Sequence, residues 1–135
     1  MWMWQLSAPG YLVANLVFAG GRDTVIHTDV RADNVLIDAQ GRALLCDWNW
    51  PVRGCDWLDS LTALIGPRGD GLDIGPYLTD RALLRDVDAE AIDIALALLA
   101  GFFLAQALLP VPPASPHIRD HQRWQGEVCW DWLAE

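Results

Sequence analysis

His27-Thr28-Asp29-Val30-Arg31-Ala32-Asp33-Asn34, continuing through Val35-Leu36-Ile37-Asp38-Ala39-Gln40-Gly41-Arg42 to Ala43-Leu44-Leu45-Cys46-Asp47, is the stretch on which the reading of this 135-residue chain turns. Its first eight residues are largely polar and aperiodic, as a loop is. Two short apolar runs follow, Val35–Asp38 and Ala43–Cys46, separated by a glycine-containing connection of hairpin length. With the runs paired antiparallel, Asp38 faces Ala43, Val35 faces Cys46, and Asn34 stands opposite Asp47 at the open end. Directly paired residues have Cα atoms about 5 Å apart, so this register predicts that the Asn34 and Asp47 side chains meet.

Outward from this stretch, Thr24–His27 is β-branched and reads as a short strand entering the loop. Upstream, Tyr11–Phe18 reads as the end of a helix stopped by Gly20-Gly21. Downstream, Trp57–Ile65 has the apolar spacing of a short helix, and Gly66–Gly75, rich in glycine, reads as a loop. Its glycines fit neither G-x-G-x-x-G nor G-x-x-x-x-G-K-[ST], so it is not read as a phosphate-binding loop. Tyr77–Leu84 is a further short helix. Asp88–Leu109 is a long, mostly apolar helix with Asp88 and Glu90 in its first turn, where acidic side chains complement the helix dipole. The prolines of Pro110–Pro116 end it, and His117–Leu133 forms a last, amphipathic helix. The run Ala91–Leu109 is nearly long enough to cross a bilayer but contains Asp93 and Gln106, and it reads as a buried core helix. There is no internal repeat.

Composition narrows the function classes. At 53% hydrophobic the chain can bury a core, and one compact domain over 1–135 is expected. A net charge of −9 speaks against nucleic acid and anionic membrane surfaces, because neutralising phosphate requires a clustered basic face. All nine basic residues are arginine; the chain has no lysine. Cys46, Cys55 and Cys129 are odd in number and lack C-x-x-C spacing, which argues against a disulfide framework or a zinc site and fits a reducing cytoplasm. Met1–Gly21 has no basic residue and so lacks the n-region of a signal peptide.

The loop fits H-x-D-x-x-x-x-N, and Asp47 closes the second hairpin run. Three such fixed positions arise by chance in roughly 1% of chains of this length, and the hairpin with its second aspartate makes the combination rarer. In this order the elements resemble the aminoglycoside phosphotransferases and choline-kinase-like enzymes and, more distantly, the protein kinases. Asp47-Trp48-Asn49-Trp50 stands where that group has D-F-G or D-W-x-W, and Gly54-Cys55-Asp56-Trp57-Leu58-Asp59 resembles its G-x-x-W-x-D.

The resemblance implies an α+β, mainly α fold: the C-terminal lobe of a protein-kinase-like structure, with a catalytic-loop β-hairpin packed on a helical subdomain. Residues 1–23 would carry a helix end, 24–60 the catalytic loop, hairpin and metal-binding segment, and 61–135 the helical subdomain. Phosphoryl transfer is mostly positioning and charge neutralisation: an aspartate orients the attacking hydroxyl while Mg²⁺ held by an Asn and an Asp screens the phosphates. The resemblance accordingly implies Asp29 as the catalytic residue, His27 as a brace of the loop, Asn34 and Asp47 as Mg²⁺ and nucleotide ligands, and Asp59 as a support accepting backbone N–H groups. The substrates it implies are ATP or GTP and a small-molecule hydroxyl acceptor, which the acidity of the chain favours being cationic. Acidic residues of the last helix, such as Glu127 and Asp131, are candidate acceptor contacts, and a solvated helix face explains them equally well. Trp48 and Trp50 flank the expected metal site; core packing is the simpler reading of the other tryptophans.

Such enzymes cover the nucleotide with an N-terminal β-lobe whose lysine pairs with the phosphates. Only 26 residues precede His27 and none of them is lysine, so the resemblance covers the C-terminal lobe alone, as a fragment, a truncated gene product or half of a complex. The face turned toward that lobe is expected to be apolar and exposed and to promote self-association. Two other readings compete. A non-catalytic, partner-binding remnant is consistent with the missing lysine. A metal-dependent hydrolase using His27, Asp29 and Asp47 is disfavoured because such sites muster more histidines and carboxylates.

Overall fold

The computed structural model describes residues 23–80 and 84–135. In chain order these form strands β1 (Asp23–Ile26), β2 (Val35–Ile37), β3 (Ala43–Leu45) and β4 (Val52–Cys55), then helices α1 (Leu58–Thr62), α2 (Ile65–Gly69), α3 (Gly75–Asp80), α4 (Ala89–Ala107) and α5 (Ile118–Leu133). Helix outweighs strand and the sheets are small and antiparallel, an α+β architecture. The chain divides between Asp88 and Ala89 into two compact units. The expected helix end at Tyr11–Phe18 lies outside the described residues.

In the first unit, β1 pairs with β4 and β2 with β3. The β1–β4 ladder joins Asp23 to Cys55 and Ile26 to Val52. It brings the start of the loop beside the chain that leaves the hairpin. Strand β4 was not anticipated; Val52-Arg53-Gly54-Cys55 is too short and too mixed to show a period-two pattern. Ile26, Cys55, Trp57, Leu58, Leu61, Leu64, Ile65, Ile74 and Leu84 are buried.

The hairpin forms, one residue out of the expected register. Val35 pairs with Leu45, Leu36 with Leu44 and Ile37 with Ala43. The cause lies in the connection. Asp38 and Arg42 still bond, the Asp38 N–H donating to the Arg42 carbonyl at 3.0 Å, and Gly41 donates to the Asp38 carbonyl at 2.9 Å. Gly41 sits at φ 77°, so the loop is a three-residue turn closed by a glycine in the left-handed region. The Asp38 carboxylate fastens the turn by accepting the N–H groups of Gln40 and Arg42, both at 2.9 Å, and the Arg42 Nε–H at 2.6 Å. The bonds from the Arg42 backbone and guanidinium hold the Asp38 carboxyl below its ordinary value.

The expected helix over Trp57–Ile65 is two short helices, and half of the expected Gly66–Gly75 loop is helical. Pro67 lies in the first turn of α2, where its missing N–H is no loss. Gly71, at φ 81°, ends that helix: its N–H reaches the Arg68 carbonyl at 2.9 Å and the next N–H, of Leu72, reaches Pro67 at 3.0 Å. This is the Schellman closure, so the glycines mark a helix stop. Helix α3 begins two residues before the expected Tyr77, with the Asp73 carboxylate accepting the Gly75 N–H at 2.9 Å.

Among its described residues, the second unit packs α4 on α5. Helix α4 has the length and apolar composition of a membrane-crossing helix. It differs from the expected core helix in burying a stripe, Ala95, Leu96, Ala100 and Ala107, while Ile94 and Phe102 remain on the surface. Gly126 of α5 meets Leu104 so closely that a Cβ there would lie 2.7 Å from its Cγ. The Arg119 guanidinium anchors the proline-rich connection by donating twice to the Pro110 carbonyl, at 3.1 Å, and once to Gln122 Oε1 at 2.7 Å. All three cysteines are free thiols. Burial raises the Cys55 pKa and pushes that of Cys129 up to about 12.

Candidate functional site

Residues 27–34 leave β1 and close on the hairpin through a 3₁₀ turn at Ala32–Asn34. Asp59, on the first turn of α1, receives the His27 N–H on Oδ2 at 2.6 Å and the Thr28 N–H on Oδ1 at 2.9 Å. One carboxylate thus satisfies two successive loop donors that no ladder reaches, a charge-assisted arrangement.

His27 is 1% exposed. Its Nε2 bonds the Cys46 carbonyl at 2.8 Å and its Nδ1 accepts the Asp29 N–H at 3.3 Å. These partners assign the proton to Nε2, since a carbonyl can only accept and an amide N–H can only donate. Both ring nitrogens are engaged, and the ring packs edge-on against Trp48 with centroids 4.7 Å apart. The imidazole therefore joins the loop to the chain immediately before Asp47 and has no nitrogen left for a metal. That geometry gives no support to the hydrolase reading, which needs His27 as a ligand.

Asn34 is buried, and its amide donates to the Asp29 carbonyl at 2.9 Å and to Asp29 Oδ2 at 3.3 Å. Its own carbonyl accepts the Cys46 N–H at 2.8 Å and the Cys46 thiol at 3.2 Å. The shifted register accordingly places Asn34 opposite Cys46, with Asp47 one residue further along. Asp47 is exposed, at φ 62°; its carbonyl accepts the Asn49 N–H at 2.8 Å and its Oδ1 accepts the Asn49 side-chain amide. Asp29, Asn34 and Asp59 are thus joined through one hydrogen-bond network with His27, and Asp47 borders it through Cys46.

Four participants were not singled out from the sequence. Thr28, at φ 69°, donates its hydroxyl to the Trp50 carbonyl at 3.0 Å and so ties the loop to the segment after Asp47. Cys46 contributes backbone and thiol. Asn49 holds Asp47. Arg31 places its Nε 3.4 Å from Asp29 Oδ1 and 3.2 Å from Asp33 Oδ1, buried and without an aligned hydrogen bond. Only Arg31 carried a signal, a cation set between two aspartates; the others act largely through contacts that sequence spacing does not reveal.

The pairing expected to bring the Asn34 and Asp47 side chains face to face is not the one that forms. With Nδ2 committed to Asp29, Asn34 presents an amide oxygen, and Asp47 keeps Oδ2 beyond the oxygen taken by Asn49. Mg²⁺ characteristically takes one or two protein oxygens and completes its shell with water and phosphate. Among the described residues there is no cluster of three or more histidines, cysteines or carboxylates, as a tightly held transition metal would require. Trp48 Nε1–H donates to the Leu45 carbonyl at 2.9 Å, fixing the indole beside this segment. In the second unit, Glu127, Asp131, Trp130 and Leu104 line an open cleft of about 490 Å³. Comparison with protein-family models, with curated proteins and with solved structures finds no match to this chain.

Proposed function

We propose that this chain is the catalytic lobe of a phosphotransferase related to the aminoglycoside phosphotransferases, which moves the γ-phosphate of ATP or GTP to a hydroxyl of a small molecule. The observation that carries the reading is the Asn34 amide bonded to Asp29 through both its carbonyl and its Oδ2. That contact fixes the proposed hydroxyl-orienting carboxylate relative to a residue whose free amide oxygen suits a cation. Support comes also from Asp59, which immobilises the backbone on the N-terminal side of Asp29, because a displacement of about 1 Å can cost a hundredfold in such a reaction.

In this reading Asp29 accepts the acceptor's hydroxyl proton as its oxygen bonds to the γ-phosphorus and the nucleoside diphosphate leaves. Asn34 and Asp47 would hold Mg²⁺, which supplies charge neutralisation at the phosphates when bound. Arg31 keeps positive charge beside Asp29.

A second reading, a partner-binding lobe without catalysis, is favoured by one observation. Val25, Leu36, Ile37, Leu44, Trp48, Trp50 and Val52 all lie exposed in the first unit, more apolar surface than an isolated enzyme usually leaves to water. A titration of the purified chain with ATP and Mg²⁺, followed by tryptophan fluorescence, separates the two. The catalytic reading expects Mg²⁺-dependent binding that Asp47→Ala removes. In a version of the protein that turns over, Asp29→Ala leaves that binding intact and lowers kcat by about 10²–10⁴-fold, the usual worth of a positioned acid–base group. Absence of binding at millimolar ATP sinks the catalytic reading for this chain and leaves the partner-binding one.

A further inference from the structure

Two successive loop residues hold the two ends of the segment that carries Asp47. The His27 Nε2–H donates to the Cys46 carbonyl at 2.8 Å, and the Thr28 hydroxyl donates to the Trp50 carbonyl at 3.0 Å. Cys46 and Trp50 bracket Asp47, and Asp29 follows Thr28 directly, so this clasp joins the two halves of the proposed site. Its second member is held at a backbone cost. Thr28 lies at φ 69°, a region that β-branched residues occupy only as outliers and that glycine enters freely. Thr28 is exposed, so burial of its methyl group does not account for a threonine here. Nor does its N–H, which donates to Asp59 Oδ1 at 2.9 Å, since glycine would offer the same donor. Only the bond to Trp50 requires a hydroxyl.

We infer that Thr28 is a positioning residue whose hydroxyl fixes the Asp29 loop against the segment Asp47–Trp50; the inference rests on the reading of this loop as a phosphotransferase site. Backbone strain persists where the surroundings over-determine it, and it gathers where the geometry of a site is set. A strained threonine in place of a relaxed glycine supplies one thing, the bond that closes the clasp at its Trp50 end. Held at both ends, the segment that carries Asp47 cannot drift from Asp29 when a ligand enters between them.

Three substitutions in the full chain separate the hydroxyl from the backbone angle. Thr28→Val keeps the branched side chain and loses the hydroxyl, Thr28→Gly loses both the hydroxyl and the strain, and Thr28→Ser keeps the hydroxyl. Each is measured for ATP binding in the presence of Mg²⁺ by tryptophan fluorescence, and for its thermal midpoint. Affinity is expected to weaken about tenfold in Thr28→Val and Thr28→Gly, the upper worth of one neutral hydrogen bond, and to stay within about twofold of wild type in Thr28→Ser. The midpoints are expected to run differently: Thr28→Val falls below wild type, while Thr28→Gly stays at or above it, because relief of the left-handed angle offsets the loss of one exposed bond. A merely structural role makes affinity follow the midpoint, so Thr28→Gly binding ATP as well as wild type overturns the inference. Equal weakening in Thr28→Ser and Thr28→Val overturns it too, and the glycine and serine variants suffice should Thr28→Val fold poorly. If the wild-type chain shows no Mg²⁺-dependent ATP binding, the reading of the site falls and this inference with it. If Asp47→Ala removes such binding while Thr28→Gly retains it in full, the inference falls alone.

Discussion

Thr28 and Asp47 are the non-glycine residues among those described that adopt left-handed backbone angles, and both border the hydrogen-bond network around His27. Such conformations persist where neighbouring bonds over-determine them: for Thr28 these are the Asp59 carboxylate and the Trp50 carbonyl, for Asp47 the two bonds from Asn49. Asp59 is the residue on which most depends, since it alone accepts the two N–H groups that lead into Asp29. Hydrogen bonds to a charged acceptor are worth about 1.5–3 kcal/mol each, and donors left unpaired add to the loss. Asp59→Ala is therefore expected to destabilise the chain by about 2–4 kcal/mol in urea unfolding, and Asp59→Asn, whose amide turns an N–H toward one of the donors, by a comparable amount. A loss below about 0.5 kcal/mol in both variants, the level of an ordinary surface change, would show that the loop holds its shape without Asp59.

Elements here are short, and their ends are set by single residues rather than by long periodic patterns. The one-residue shift of the hairpin comes from Gly41, whose left-handed turn removes a residue from the loop and adds it to the ladder. The Schellman closure at Gly71 likewise converts a glycine-rich segment into the end of α2. The longest contact between helices, α4 on α5, depends on the absence of a side chain at Gly126, where a Cβ would lie 2.7 Å from Leu104 Cγ and 3.1 Å from the Leu104 backbone nitrogen. Alanine gains about 1 kcal/mol over glycine within a helix, but overpacking costs about 1–3 kcal/mol, and neither a branch point nor a backbone atom can move cheaply. Gly126→Ala is expected to lower the thermal midpoint by a few degrees. Gly101→Ala on α4, where a Cβ meets nothing within 4 Å, is the control and is expected to raise it. A rise in both would mean that the helices separate readily at this crossing.

At the scale of the whole molecule, apolar surface and charge oppose each other. Leu36 and Leu44 pair directly across the hairpin, at 58% and 52% exposure, with Ile37 and Val25 more exposed still. A patch of this kind favours association, while a net charge of −9 opposes it at low ionic strength. Sedimentation is accordingly expected to show concentration-dependent association that strengthens with added salt. The double variant Leu36→Lys with Leu44→Lys is expected to be monomeric without loss of helical signal. A wild-type chain that stays monodisperse at high salt and unfolds cooperatively as a monomer would show that this face is tolerated in water.

The sequence by itself determined several of the local elements and their order, though neither β4 nor the helical start of Gly66–Gly75. The polar loop, the paired apolar runs, the proline stop after α4 and the amphipathic last helix follow from composition and spacing over fewer than twenty residues each. It also singled out Asp29, Asn34 and Asp47, because their types and intervals are unusual together, while Asp59 was named only through the family resemblance. What only the tertiary structure decided is which of them touch. The register that sets Asn34 against Cys46 follows from the φ of Gly41, the two bonds of Asp59 span more than thirty residues, and β1 meets β4 through a ladder that neither strand's pattern announces. Thr28 and Asn49 stayed hidden because a hydroxyl or an amide reveals its role only through the partner it faces. That partner is chosen by the path of the chain, a property of the packed molecule and not of any local run of residues.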